Sequence, residues 1–285
     1  MPAEGAEFRN ILFPVDFSDR CAAAAPYAAA MARLFGASVT LLHVIQRYSE
    51  QAFELTPFPE TLWTAMRARA ARALAEMAQR HFPDLTSTPV VAAGDAADEI
   101  VAVAEKRHID LIMMPTHGTG RFRAALLGSV TAKTLSDAPC AVWTSAHPGE
   151  SPAGARDGFH SVLCAIRPGP PSRSLLRFSA AFTGKTGAKL RLVHAVPGEE
   201  CLLQREMNAE FEHYLKEAAA SAIAKLQREA GTAFEVCVRA GKPSRVIAEV
   251  ARNHKADLVL TGRGAEAHSI IRDSPCPVLS FQESC

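Results

Sequence analysis

The chain has 285 residues, 48% of them apolar and 21% charged, with a formal net charge of +1. So even a balance excludes the basic field by which proteins hold nucleic acid or an anionic membrane surface, and no apolar run approaches the roughly 20 residues of a bilayer-spanning helix. The length suits two domains of about 140 residues, each large enough to bury a core. Met1-Pro2-Ala3-Glu4-Gly5 lacks the basic-then-apolar order of a secretion signal. The seven cysteines are odd in number and form no Cys-x-x-Cys pair. Several (Cys140, Cys164, Cys237 and Cys276) sit in apolar, strand-like runs, which reads as buried free thiols in a reducing, cytoplasmic setting.

In chain order, strands and helices alternate. Asn10 to Val15 is a nearly all-apolar run, the pattern of a strand buried on both faces. Ser18-Asp19 offers an N-cap for a helix over Cys21 to Phe35, which Gly36 closes. Ser38 to Ile45 reads as the next strand, then a helix from Pro59 to Arg80, a strand over Thr88 to Ala93, and a helix over Ala96 to Arg107 capped by Asp95. Asp110 to Met114 is a fourth strand. A loop of small residues follows, then a helix over Ser129 to Ser136 and a strand over Cys140 to Thr144.

The chain then repeats itself. Phe8 to Asp16 aligns with Phe159 to Arg167 at an offset of 151 residues, and Leu42-His43-Val44 with Val193-His194-Ala195 at the same offset. Ala93-Gly94 and Asp110-Leu111-Ile112 recur at an offset of 147, but Ala138-Pro139-Cys140 recurs as Ser274-Pro275-Cys276 at only 136, so the second copy lacks 11 residues. They are missing where the first copy has Pro115-Thr116-His117-Gly118-Thr119-Gly120 and Leu127-Gly128-Ser129-Val130. In the second copy strands are expected near 161–166, 189–195, 234–239, 257–261 and 277–281, and helices near 172–186, 200–230 and 243–254. The fold class is α/β: two tandem doubly wound, Rossmann-like domains, each a mainly parallel five-stranded sheet with helices on both faces. The expected division is domain 1 over 1–146, a Pro- and Gly-containing linker over 147–158, and domain 2 over 159–285. The strands Cys140 to Thr144 and Pro277 to Phe281 offer edges through which domain 1 can pair with domain 2.

Such sheets take ligands beyond the carboxyl ends of their strands, which places Pro14, Val15, Asp16, Met114 and Pro115 at the mouth of a cleft. His117-Gly118 and, after nine residues, Gly128-Ser129 suit a phosphate: glycine lets backbone N–H groups approach an anion, and the start of a helix favours negative charge. Asp16 can accept from an adenine amine or a ribose hydroxyl. The plainer alternative is that Gly118 and Gly120 turn the chain and Ser129 caps a helix.

Ile11-Leu12-Phe13-Pro14-Val15-Asp16-Phe17-Ser18, Leu41-Leu42-His43-Val44-Ile45, Gly118 spaced nine residues from Gly128-Ser129, and Ala138-Pro139-Cys140-Ala141-Val142 together resemble the universal stress proteins, in tandem. The resemblance implies single or paired α/β domains, dimeric or pseudo-dimeric through the last strand, and in one branch ATP held by a Gly-x-x-Gly-x9-Gly-Ser/Thr motif. Carried over by position, Asp16 and Val44 face adenine and ribose, and Gly118, Gly128, Ser129 and Val130 face the phosphates. The motif's first glycine falls on Pro115, which has no N–H. In the second copy Arg167 replaces Asp16, and Thr261-Gly262-Arg263-Gly264 runs almost directly into Ala265 to Asp273, leaving no triphosphate cradle.

The expectation is therefore a stress-response or signalling module that binds ATP or a related adenine nucleotide, with or without Mg2+, in domain 1. Domain 2 is its pairing partner, and a further homodimer stays open. The alternative is a scaffold of the same fold without nucleotide. No strong general base and no zinc-type spacing is visible, so hydrolysis is expected to be slow at most. Arg121, Arg123 and Lys133 flank the loop, either screening phosphate or forming a solvated basic face. His43 and His194 read as satisfied strand histidines, and Cys21, Cys140 and Cys164 as buried thiols rather than nucleophiles. Phe53, Phe58 and Trp63 mark an apolar connection, either a lid or an interface.

Overall fold

The computed structural model describes residues 7–46, 59–116, 127–145, 158–169, 172–198 and 209–282. Two compact units divide them, one spanning Phe8–Cys140 and the other the described residues from Ala141 onward together with Glu7. The α/β reading is correct.

In the first unit β1 (Asn10–Pro14) is followed by α1 (Asp19–Phe35), β2 (Ser38–Gln46), α2 (Glu60–His81), β3 (Ser87–Gly94), α3 (Ala96–Lys106), β4 (Leu111–Pro115) and α4 (Ser129–Asp137). The strands are parallel in the order β3-β2-β1-β4. Ile11, Leu12 and Phe13 are fully buried, as are Leu111, Ile112 and Met113. These unbroken apolar runs are what covering both faces of a parallel sheet demands. The caps read from the sequence are present. The Ser18 hydroxyl accepts from Cys21 N–H at 3.1 Å, Asp95 accepts from the N–H groups of Ala97 and Asp98, and Gly36 closes α1 at φ +65°.

The second unit contains β5 (Ala141–Ser145), β6 (Ser161–Ala165), α5 (Ser172–Thr186), β7 (Lys189–Val196), α6 (Ala209–Ala230), β8 (Glu235–Ala240), α7 (Pro243–Asn253), β9 (Leu258–Gly262), α8 (Ala267–Asp273) and β10 (Val278–Phe281). The part of the helix expected over 200–208 lies outside the described residues. Gly184 sits inside α5, and the stop is Gly187, at φ +73°, whose N–H reaches Thr183 O at 2.8 Å. The strands β10-β9-β6-β7-β8 are parallel neighbours. β5 runs antiparallel to β10, with Trp143 opposite Leu279. The Ser280 hydroxyl donates to Val142 O at 3.1 Å and that of Thr144 to Val278 O at 3.4 Å, so side chains reinforce the ladder from both strands. Among the described residues no helix is long and apolar enough to cross a membrane.

One carboxylate ties each repeat together at the amino end of its sheet. Asp110, just before β4, accepts from the N–H groups of Arg9 and Asn10 at 2.8 and 2.9 Å. Asp257, just before β9, accepts from those of His160 and Ser161 at 2.7 and 3.2 Å. Hydrogen bonds to a charged acceptor are among the stronger ones. Asp257→Ala is expected to cost about 2 kcal/mol of stability, and Asp110→Ala a similar amount. Urea unfolding followed by circular dichroism measures this. A cost near zero for both would mean that the carboxylates are decoration.

Candidate functional site

At the carboxyl end of β1 the chain is latched to β2 from both sides of one residue. Val15 N–H donates to Leu42 O at 2.7 Å, and Val15 O lies 2.7 Å from His43 Nδ1. A carbonyl only accepts, so His43 carries its proton on Nδ1. Asp16 follows, half-buried, and its Oδ1 accepts from Ser18 N–H at 3.0 Å and from the Ser18 hydroxyl at 2.7 Å. Between them Phe17 takes φ +59°, a left-handed conformation that costs a bulky residue energy and persists only where its surroundings enforce it. Its ring is 43% exposed and lies 4.6 Å from that of His43. Cys21 Sγ donates to Pro14 O at 3.6 Å from behind the turn. Burial pushes its thiol up to about 12, so it acts as a protonated donor, not a nucleophile. Burial likewise pushes Cys164 and Cys276 up to about 12.

Beside it, β4 ends in buried Met114 and Pro115, followed by buried Thr116. Two bonds stitch this end to the start of α4: Thr131 Oγ1 donates to Pro115 O at 3.2 Å, and Gly128 N–H donates to Thr116 O at 2.9 Å. Gly128 is the N-cap of α4, and no side chain caps the helix there. Glycine leaves the first turn's N–H groups open to whatever approaches. Ser129 is exposed and Val130 half-buried. Val44 on β2 lies beyond the end of β1, since the register pairs Pro14 with Leu42. Thus Pro14, Val15, Asp16, Val44, Met114, Pro115, Gly128, Ser129 and Val130 all come to one end of the sheet.

His117, Gly118, Gly120, Arg121 and Arg123 lie outside the described residues, as do Phe53 and Phe58. Lys133 does not face the loop alone: its Nζ is 2.5 Å from Asp98 and 3.5 Å from Asp95, and Asp98 above all raises its pKa. Sequence reasoning missed Thr131 and Thr116, whose part depends on a contact no spacing announces. Its signal for the histidines was their recurrence at one register.

The second repeat copies the latch and changes the mouth. Ile166 N–H donates to Val193 O at 2.9 Å, and His194 Nδ1 lies 2.8 Å from Ile166 O. Arg167 stands where Asp16 does. Its guanidinium packs on Gly264 so closely that a Cβ there would meet Nη2 at 3.1 Å. The cleft at this sheet end holds about 120 Å³, lined by Arg167, His194 and Glu266 among largely apolar neighbours. β9 passes into the seven-residue α8 through a tight turn, with Ala267 N–H on Gly264 O at 2.9 Å. No glycine caps α8; Glu266 does, and its side chain accepts from the Ser269 hydroxyl at 2.9 Å rather than from a backbone N–H of the helix. Among the described residues no group of three or more His, Cys, Asp or Glu is placed to hold a metal.

The sequence profile of the universal stress protein family matches residues 7–145 and again 158–281. The chain belongs to the universal stress protein family. A universal stress protein of Thermus aquaticus is 32% identical over 139 residues, 47% of this chain and 96% of that protein. One of Methanocaldococcus jannaschii is 27% identical over 144 residues, 45% and 88% of the two chains. A solved universal stress protein from Archaeoglobus fulgidus matches 98% of both chains with a TM-score of 0.71 at 21% identity, a likeness of fold. A single-repeat family member thus corresponds to half of this chain, and the family fold occurs here twice.

Burial holds His194 below the ordinary imidazole value of 6.5, although the bond to Ile166 favours its charged form. The unfolded chain therefore takes up this proton at a higher pH than the folded one. The contribution to stability is complete above about pH 6.5 and declines as pH falls below it. Between about pH 7.5 and pH 5.5 the thermal midpoint of His194→Gln should fall less than that of the parent. Scanning calorimetry at fixed ionic strength makes the comparison, and identical slopes would refute it.

Proposed function

We propose that the first repeat binds ATP or a related adenine nucleotide, with or without Mg2+, and that the second repeat serves as its pairing partner and binds none. The observation that carries this is Gly128. It caps α4 without a side chain, its backbone is anchored to Thr116 beyond the end of β4, and β4 pairs with β1, which leads to Asp16. Exposed N–H groups at a helix start favour phosphate, Ser129 adds a hydroxyl, and Asp16 has acceptor oxygens for an adenine amine or ribose hydroxyl. Pro115 is compatible with this role, because the bond found at that residue is accepted by its carbonyl. The second repeat argues by contrast, with a donor in place of Asp16 and no glycine cap.

The reading is of a cytoplasmic stress-response or signalling module, supported by the free thiols of Cys21, Cys164 and Cys276. Nucleotide would bias conformation or partner binding, and hydrolysis would be slow at most. The β5–β10 ladder supports pairing of the repeats through their last strands.

Titration calorimetry with ATP tests this. The parent should bind one nucleotide per chain. Gly128→Asp should abolish the heat by setting a carboxylate against the phosphates, and Gly262→Ala should leave affinity unchanged. No heat from the parent at about millimolar ATP, the scale of a very weak complex, would leave a scaffold of the same fold in its place. One site lost on changing Gly262 would reverse the assignment of the repeats.

A further inference from the structure

The two repeats preserve one face of a helix and reverse the charge of the other. α3 and α7 are equivalent helices, offset by 147 residues. Their inward faces agree: Ile100 and Ala104 are buried in α3, and Ile247 and Ala251 in α7. Their outward faces expose the same steps, Asp95, Asp98, Ala102 and Glu105 on one and Lys242, Arg245, Glu249 and Arg252 on the other. At three of the four an acid in the first repeat stands where a base stands in the second. From cap position to the tenth residue beyond, each stripe runs about 15 Å. Solubility asks for charge on such a face but not for a particular sign, so sign reversal over a shared Ile and Ala pair on the inward face needs another cause.

The start of α7 sharpens the point. Asp95 caps α3 with a negative charge, as the positive end of a helix favours. Lys242 stands at the cap of α7, makes no side-chain bond, and no acid lies in the first turn. Arg245 brings a second cation to an end that repels both. The acids nearby are engaged, Glu249 by Arg239 at 2.6 Å and Asp273 by Arg272 at 2.8 Å. An open groove of about 630 Å³ runs between α7 and α8, lined by Lys242, Arg245, Arg252 and Arg272 with those two acids. On the acidic side Lys133 answers Asp98 and Asp95, while Glu105, like Lys242 and Arg252, forms no ion pair among the described residues.

We infer that the basic α7–α8 face of one molecule docks the acidic α3–α4 face of a second copy of this chain. Equal spacing and opposite sign make the two stripes complementary, and one chain supplies both at equal concentration. The contact joins different surfaces, so it builds chains of molecules unless its geometry closes. It rests on charge, so salt weakens it. Nothing in it requires nucleotide.

Sedimentation velocity of the intact chain reads it. At about 20 mM salt the sedimentation coefficient should rise with protein concentration, and at about 500 mM it should return to that of one chain. Arg245→Glu with Arg252→Glu should weaken association about a hundredfold, and Asp98→Lys with Glu105→Lys should do the same. Circular dichroism checks that each is folded. Mixing the two variants should restore association, because the first is acidic on both faces and the second basic on both; two misfolded proteins would not do so. Salt-independent sedimentation of the parent, or a folded mixture that stays monomeric, overturns the proposal. So does a monomeric parent whose retention on heparin depends on Arg245 and Arg252, which would assign the groove to an outside polyanion.

Discussion

The hydrogen bond from a histidine ring to the carbonyl just beyond the first strand governs how each repeat presents its cleft. His43 holds Val15 and His194 holds Ile166, at 2.7 and 2.8 Å. A strand end in a parallel sheet would otherwise fray, because no further ladder bond follows. With the carbonyl latched, the next residue leaves the sheet in a set direction, and that residue decides what the cleft can accept. It is Asp16 in one repeat and Arg167 in the other. The same frame therefore yields two electrostatically opposite mouths without any change in the strands beneath.

Asp16 is itself placed by short-range chemistry. Its Oδ1 takes two bonds from Ser18, whose hydroxyl in turn accepts from Cys21 N–H. One serine thus caps α1 and orients the carboxylate. The strained φ of Phe17 is tolerated between these two anchors, with the imidazole of His43 against its ring. In the second repeat Arg167 N–H finds Ser172 Oγ at 3.4 Å, a looser version of the turn.

Most of the fold could be read from the sequence because its signals are local. Ile11 to Phe13 and Leu111 to Met113 are apolar without interruption, which only a doubly covered strand requires. Ser18, Gly36 and Asp95 announce helix ends through bonds to residues a few positions away. The glycine at 128 and the acid at 16 were visible as types, and their place at one sheet end followed from topology. What could not be read depends on contacts across the chain. Thr131 reaching Pro115, Thr116 receiving Gly128, and Lys133 turning to Asp98 join residues whose separation carries no pattern. Homology and compactness also divide the chain differently. The family profile runs to residue 145, whereas packing assigns Ala141 onward to the C-terminal unit. The neighbour of β5, by contrast, was among the edges expected from the sequence, and the β5–β10 ladder is found.

That neighbour has consequences for how the protein can be handled. Val142, Trp143 and Thr144 give β10 its antiparallel mate, so cutting between the repeats leaves a severed half with an orphaned, sticky rim prone to recruiting any passing chain. Holding both strands on one chain makes their pairing an intramolecular event at high effective concentration.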